Sequence, residues 1–302
     1  MAGKLLRWVG IGLGVVVGLV VVLTAYVYVA SNARLHKTYA IDVPSMPLPT
    51  DAASLARGEH IARAIAGCAG CHGGMLEGNV LFDNPALGRV AAPNLTASAT
   101  GVGAALRDRD WFRAIRHGVA PDGRPLLLMP SADYAHLSDS DLVALVAWAR
   151  SRQLMENPVP ASRLGPLGRA LLIAGKFPVL SAETIDHSVQ HVSAPAAGVT
   201  AAYGGYLAQL TCAGCHGPGY SGGMVPTLPP NAPPAANLPP GGLSGSSEAD
   251  FRRVLREGKA PGGRSIDARW MPWRTLGRMT DDELGAVWAY LHTLPSKPFG
   301  NR

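Results

Sequence analysis

The residues whose type and spacing demand a specific chemistry are the four cysteines. All of them fall in two copies of one pattern, Cys68-Ala69-Gly70-Cys71-His72 and Cys212-Ala213-Gly214-Cys215-His216. Two thiols three positions apart share one turn of chain and can add to the two vinyl groups of a haem. The histidine that follows then swings under the iron as an axial ligand. Other chemistries also use C-x-x-C. A zinc ribbon places its pairs about 15–20 residues apart, whereas these are separated by more than a hundred. A thioredoxin-like disulfide needs a βαβ context, which the sequence lacks, and has no use for a histidine after each pair. Structural disulfides in an oxidising compartment are a third alternative. Both C-x-x-C-H copies are complete and no cysteine is left over, which points to two covalently bound c-type haems.

A second axial ligand is expected from Met129 and Met271. Met129-Pro130 lies 58 residues after Cys71 and Met271-Pro272 lies 56 after Cys215. Both precede a closing helix, where a loop can fold over the open haem face and present a thioether. Met75 and Met224 also align, but Met75 is only four residues past Cys71 and cannot readily reach the far face. His60, His117, His136 and His292 compete for the role, yet none has a clear counterpart in the other half. The expected iron ligands are therefore His72, Met129, His216 and Met271, with Cys68, Cys71, Cys212 and Cys215 holding the porphyrin. A thioether favours ferrous iron, and two strong-field ligands leave no vacant position, so chemistry is limited to gaining and losing an electron. No residue is singled out as catalytic. Arg124 and Arg264 are candidate propionate partners by position, or solvated loop arginines.

These groups have to be positioned by repeated elements. Asp110–Gly118 parallels Asp250–Gly258, Pro121-Asp122-Gly123-Arg124 parallels Pro261-Gly262-Gly263-Arg264, and Asn94-Leu95 parallels Asn237-Leu238, all at an offset of 140–144 residues. Self-similarity on this scale indicates a duplicated unit of fold. Each unit reads as a short helix leading into the cysteine motif (54–66 and 202–211), a long Gly/Pro loop, and an amphipathic helix (109–117 and 248–257). A loop carrying Met-Pro and a final helix (138–150 and 280–294) complete it. Ser138 and Thr280 suit N-caps, each with an acidic residue three positions on, and Leu142, Leu145, Val146 and Leu284, Val287, Trp288, Leu291 recur at helical spacing.

At 302 residues, with 36 Gly, 25 Pro and only 16 % charged residues, the chain suits short helices joined by turn-rich loops. The net charge is +6; two haems with their propionates would bring it to about +4 oxidised and +2 reduced. That mild charge and the lack of any basic run exclude a nucleic-acid partner. Between Arg7 and Arg34 the chain carries no charge, and a helix over Trp8–Ala30 would span roughly 35 Å, enough for about 30 Å of hydrocarbon. A cleaved signal peptide is the competing interpretation, but its apolar region usually runs only about 7–15 residues.

The quoted motifs resemble the class I cytochrome c fold, and more narrowly the cytochrome c subunits of periplasmic alcohol, sorbitol and gluconate dehydrogenases. The resemblance rests on Pro93-Asn94-Leu95-Thr96, Asp110–Gly118, Met129-Pro130 and Leu137–Arg150, then on Cys212–Gly217, Asp250–Gly258, Met271-Pro272-Trp273 and Asp281–Pro295. It implies an all-α chain of two tandem cytochrome c domains preceded by one N-terminal transmembrane helix. It also implies that the last helix of each domain crosses the first, with an aromatic near Trp148 or Tyr290 against a glycine near Gly58 or Gly205. The expected organisation is an anchor (1–34), a linker (35–50), domain 1 (51–155), a connector (156–199) and domain 2 (200–302). The dehydrogenase subunits carry three haems and a carboxy-terminal membrane segment, whereas this chain has two motifs and its apolar segment at the start. Class I cytochromes acquire haem outside the cytoplasmic membrane. The expectation is thus a single-pass protein of the bacterial inner membrane with its soluble domains in the periplasm. It would carry electrons from a dehydrogenase or quinol-side donor to a soluble cytochrome or terminal oxidase. A dihaem peroxidase is the alternative.

Overall fold

The computed structural model of the chain describes residues 2–229 and 231–301. Helix α1 (Ala2–Leu35) is continuous, and its side chains from Ala2 to Ala25 are exposed. It is long and apolar enough to cross a membrane.

The first repeat opens with α2 (Ala52–His60), capped by Asp51 accepting from Ser54 N at 2.9 Å. It runs on through a π turn at Ile61–Ile65, closed by Ala66 N donating to Ile61 O. That wider turn ends at Gly67, whose φ of +64° needs a residue without Cβ strain, and α3 (Cys68–His72) follows. Next come β1 (Asn79–Asn84) and β2 (Gly88–Ala92), then α4 (Asp108–His117), the single turn α5 (Ser131–Tyr134) and α6 (Asp139–Arg150). The connector contributes β3 (Arg163–Leu164) and α7 (Pro166–Ile173). The second repeat comprises α8 (Ala201–Thr211), α9 (Ala213–His216), α10 (Glu248–Glu257), the single turn α11 (Trp273–Leu276) and α12 (Asp281–Leu291).

The two repeats are built alike. In each, the last helix crosses the first at a glycine. A Cβ on Gly58 would collide with the carbonyl of Ala144 and the Cβ of Trp148, and one on Gly204 with the carbonyl of Ala286 and the Cβ of Tyr290. The neighbouring Gly205 lies against the Tyr290 ring. Ser138 and Thr280 cap α6 and α12 as expected, each accepting from the backbone N three residues on at 3.1 Å. Only Glu283 completes a capping box, by accepting from Thr280 N; Asp141 turns instead to Arg57.

The all-helical expectation needs one correction. The loop after the first cysteine motif forms an antiparallel hairpin, Asn79↔Ala92 to Asn84↔Gly88, and β3 adds at Gly88↔Leu164. Val80, Leu81, Phe82 and Val90 favour strand, and Asn84 organises the turn by accepting from Ala86 N and Leu87 N. The second repeat has Pro229, Pro233 and Pro234 at the corresponding place, and prolines cannot donate to a ladder.

The segment expected as a linker (35–50) is docked along α4 and the turn that follows it. Tyr39 N donates to Gly123 O, Arg113 to Ile41 O and Arg109 to Val43 O, and Val43 is buried. The connector in turn holds the end of α1. Arg34 pairs with Glu183, Arg169 donates to Ser31 and Asn32, and its guanidinium stacks on Tyr28. Leu164, Leu172, Val179 and Leu180 form a small core there. The main core runs without a break from Ile61, Phe112 and Trp148 into Leu207, Leu284 and Leu291, so the repeats pack against each other.

Candidate haem-binding sites

In each repeat the cysteine motif occupies one short helical turn entered from the first long helix. None of Cys68, Cys71, Cys212 and Cys215 is joined in a disulfide. Burial pushes the Cys68 thiol up to about 12 and the Cys212 thiol up to about 11. Among the described residues no three of His, Cys, Asp and Glu converge as a metal shell.

The histidines carry the most informative geometry. His72 Nδ1 lies 2.9 Å from Pro93 O, and His216 Nδ1 lies 2.7 Å from Ala236 O. A carbonyl only accepts, so in both rings Nδ1 carries the proton, and in the neutral imidazole Nε2 is then the nitrogen that can ligate a metal. Such a bond also fixes the ring plane and raises ligand basicity. Burial lowers the pKa of His72, which keeps it neutral and ligand-competent.

The carbonyls are themselves held in matching ways. Asn94 Nδ2 donates to Met155 O at 2.6 Å and Asn237 Nδ2 to Lys297 O at 2.8 Å, tying each loop to the chain beyond the last helix. Leu95 N donates to Leu76 O, and Leu238 N to Tyr220 O. Leu76 and Tyr220 both adopt left-handed backbone, at φ +64° and +56°. The duplicated Asn-Leu was the sequence signal for this support. Spacing alone did not reveal that the preceding residue's carbonyl orients the imidazole.

Met129 and Met271 sit in superimposable turns. Each accepts at its carbonyl from the backbone N two residues on (2.8 and 2.7 Å), and the following prolines have φ/ψ of −79°/50° and −77°/51°. Both methionines are partly buried against the main core. Met224 is exposed. The competing histidines have other occupations. His60 Nε2 meets Glu283 at 2.7 Å, His292 Nδ1 meets Trp288 O, and His136 is exposed. His117 Nδ1 is 3.1 Å from His187 Nδ1, and burial together with that neighbour pushes it down to about 4. Arg124 forms a surface pair with Asp122, and Arg264 is exposed.

The donor set fits a haem in each repeat: two thiols, an imidazole tethered through Nδ1 to a backbone carbonyl, and a thioether in a preformed turn. Trp111 Nε1, in the first repeat, is a buried donor without a partner, which an acceptor on a bound group would satisfy.

Comparison with known proteins agrees with this assignment. The family described as cytochrome c matches residues 201–295, and the family described as cytochrome c oxidase, cbb3-type, subunit III matches residues 53–148. The chain is 27 % identical over 291 residues to the fructose dehydrogenase cytochrome subunit of Gluconobacter japonicus, covering 84 % of this chain and 56 % of that protein. It is 30 % identical over 281 residues to the gluconate 2-dehydrogenase cytochrome c subunit of Pantoea cypripedii, covering 80 % and 59 %. It is 26 % identical over 285 residues to the cytochrome c subunit of the quinone alcohol dehydrogenase of Komagataeibacter europaeus, covering 82 % and 57 %. The chain thus spans less than three-fifths of the length of each of these relatives. The two matched stretches fall one on each repeat, and the chain belongs to the c-type cytochromes, with two cytochrome c domains and two covalently bound haems.

Proposed function

We propose that this cytochrome is a membrane-anchored, periplasmic carrier of single electrons, held to the bacterial inner membrane by α1. Residues 51–155 form one haem domain and 200–302 the other. Cys68 and Cys71, and Cys212 and Cys215, hold the porphyrins; His72 with Met129, and His216 with Met271, bind the irons. A haem so held supplies one-electron chemistry and no open coordination site. The protein's part is to fix the two imidazoles through Pro93 O and Ala236 O, to present the thioethers from rigid turns, and to keep water from the iron faces with the core side chains.

The observation that carries the reading is the paired tether of His72 and His216, the same bond made by the same loop in both domains. The relatives named as cytochrome subunits of fructose, alcohol and gluconate dehydrogenases favour a dehydrogenase as donor. A soluble cytochrome or terminal oxidase is then the acceptor.

Near-infrared spectroscopy of the oxidised holoprotein tests the ligation. Both haems should contribute a Met–iron charge-transfer band, with half the intensity lost in Met129→His and half in Met271→His. Absence of the band from the parent protein would overturn the proposed ligands.

A further inference from the structure

The interface between the domains places each Met-Pro turn of one domain on the haem-attachment segment of the other. Turn α5, directly after Met129-Pro130, packs on α8 and α9 of the second domain; α11, directly after Met271-Pro272, packs on the π turn that leads into Cys68. The equivalent side chains reach the two attachment segments at different positions. A Cβ on Gly214, inside the second cysteine motif, would lie 2.5 Å from Asp133 Oδ2, and one on Gly67, beside Cys68, would lie 3.3 Å from Thr275 Cγ2. Asp133 and Thr275 are each four residues past their methionine. Tyr134, next to Asp133, is buried and donates its hydroxyl to Ala66 O, two residues before Cys68. A single turn therefore touches both attachment segments.

The pseudo-symmetry is broken: the second motif has a carboxyl against Gly214, whereas a Cβ on Gly70, its counterpart in the first motif, would meet nothing within 4 Å, and the uncharged Thr275 lies only against Gly67. Among the described residues no cation forms an ion pair with Asp133, and its surroundings are Tyr134 on its own turn and Cys212 and Tyr220 across the interface. We propose that Asp133 is a positioning residue for the redox reaction. Its carboxylate, set by the first domain against the Cys212–Cys215 segment, stabilises the ferric state of the second haem, so that an electron on the second haem passes across α5 to the first. One electron leaves ferrous iron in domain 2 and reduces ferric iron in domain 1, with no other reactant. The inference rests on the haem assignment proposed above. Burial pushes the Asp133 carboxyl up to about 6, so the charge is present at neutral pH.

The test is a spectroelectrochemical titration of the full-length holoprotein in detergent at pH 7.5 and pH 5. Met271→His identifies the second haem by moving its wave; if it moves neither wave, the ligand assignment has failed rather than this inference. Asp133→Asn should favour reduction of the second haem about tenfold, a shift of about 59 mV for one electron, and leave the first haem unchanged. Asp133→Glu should keep the parent's value. At pH 5 the parent should approach Asp133→Asn. Thr275→Asp should disfavour reduction of the first haem by a similar factor. The inference is overturned if Asp133→Asn leaves the second haem unchanged, moves both haems equally, or matches Asp133→Glu.

Discussion

Glu283 offers the sharpest test of how the two domains are joined. Its side chain is only 6 % exposed, and it receives His60 Nε2 at 2.7 Å and Arg57 Nη1 at 3.1 Å from the other domain, and Thr280 N at 2.8 Å from its own. Arg57 reaches on to Asp141 with two further bonds of 2.8 and 2.9 Å, and Tyr206 donates to Asp141 at 2.7 Å. Removing one member of a fully buried ion pair costs about 3–5 kcal/mol. Arg57 and His60 are 29 % and 25 % exposed, and Arg57 keeps Asp141, so Glu283→Ala should lose about 3 kcal/mol. Glu283→Gln, which can still accept from Thr280 N, should lose about 2 kcal/mol. Burial pushes the Glu283 carboxyl up, but His60, the Thr280 N–H and Arg57 outweigh it and hold the pKa below the usual glutamate value. A depressed pKa stabilises above the unfolded value and ceases to as pH falls through the folded one. The gap between parent and Glu283→Gln should therefore be full at pH 7 and shrink towards zero below about pH 4. Guanidinium unfolding of the holoprotein, followed by far-ultraviolet circular dichroism at both pH values, measures it. A loss under about 0.5 kcal/mol at pH 7, the size of an ordinary surface substitution, would refute the reasoning.

Two further predictions probe the fold and the cofactor. Gly58→Ala and Gly204→Ala should each destabilise the holoprotein by about 2–3 kcal/mol by forcing the crossed helices apart; denaturant midpoints of the single variants check this. The Cys68→Ala/Cys71→Ala and Cys212→Ala/Cys215→Ala double variants should each carry one covalent haem instead of two, read by intact-protein mass spectrometry.

The repeat made much of this legible. The cysteine motifs, the cap residues Ser138 and Thr280, and the Met-Pro turns all lie within continuous stretches, where local chemistry and a constant offset speak for themselves. The hairpin around Asn84 was hidden because its strands are short and lie in a loop that Gly78, Pro85, Gly88 and Pro93 break up. Burial of Asp141 and Glu283 was hidden for another reason: both read as helix-capping acids, while their partners Arg57, His60 and Tyr206 lie 65 to 226 residues away and, apart from the Arg57–Asp141 pair, across the domain interface. The role of Pro93 O and Ala236 O could not come from side-chain identities, since the functional atom is backbone.

The docking of residues 36–50 on α4 and of α7 on the end of α1 has a mechanical consequence. A free coil of that length would let the haem domains wander roughly 20 Å from their mount. Pinned by Arg109 and Arg113 on one side and by Arg34 and Arg169 on the other, they are carried on a bracket instead of a leash. With α1 as the membrane anchor proposed above, their height and heading above the bilayer would be fixed by the polypeptide itself. A redox partner must come to them at one level and from one side, which exchanges breadth of search for a constant distance of approach.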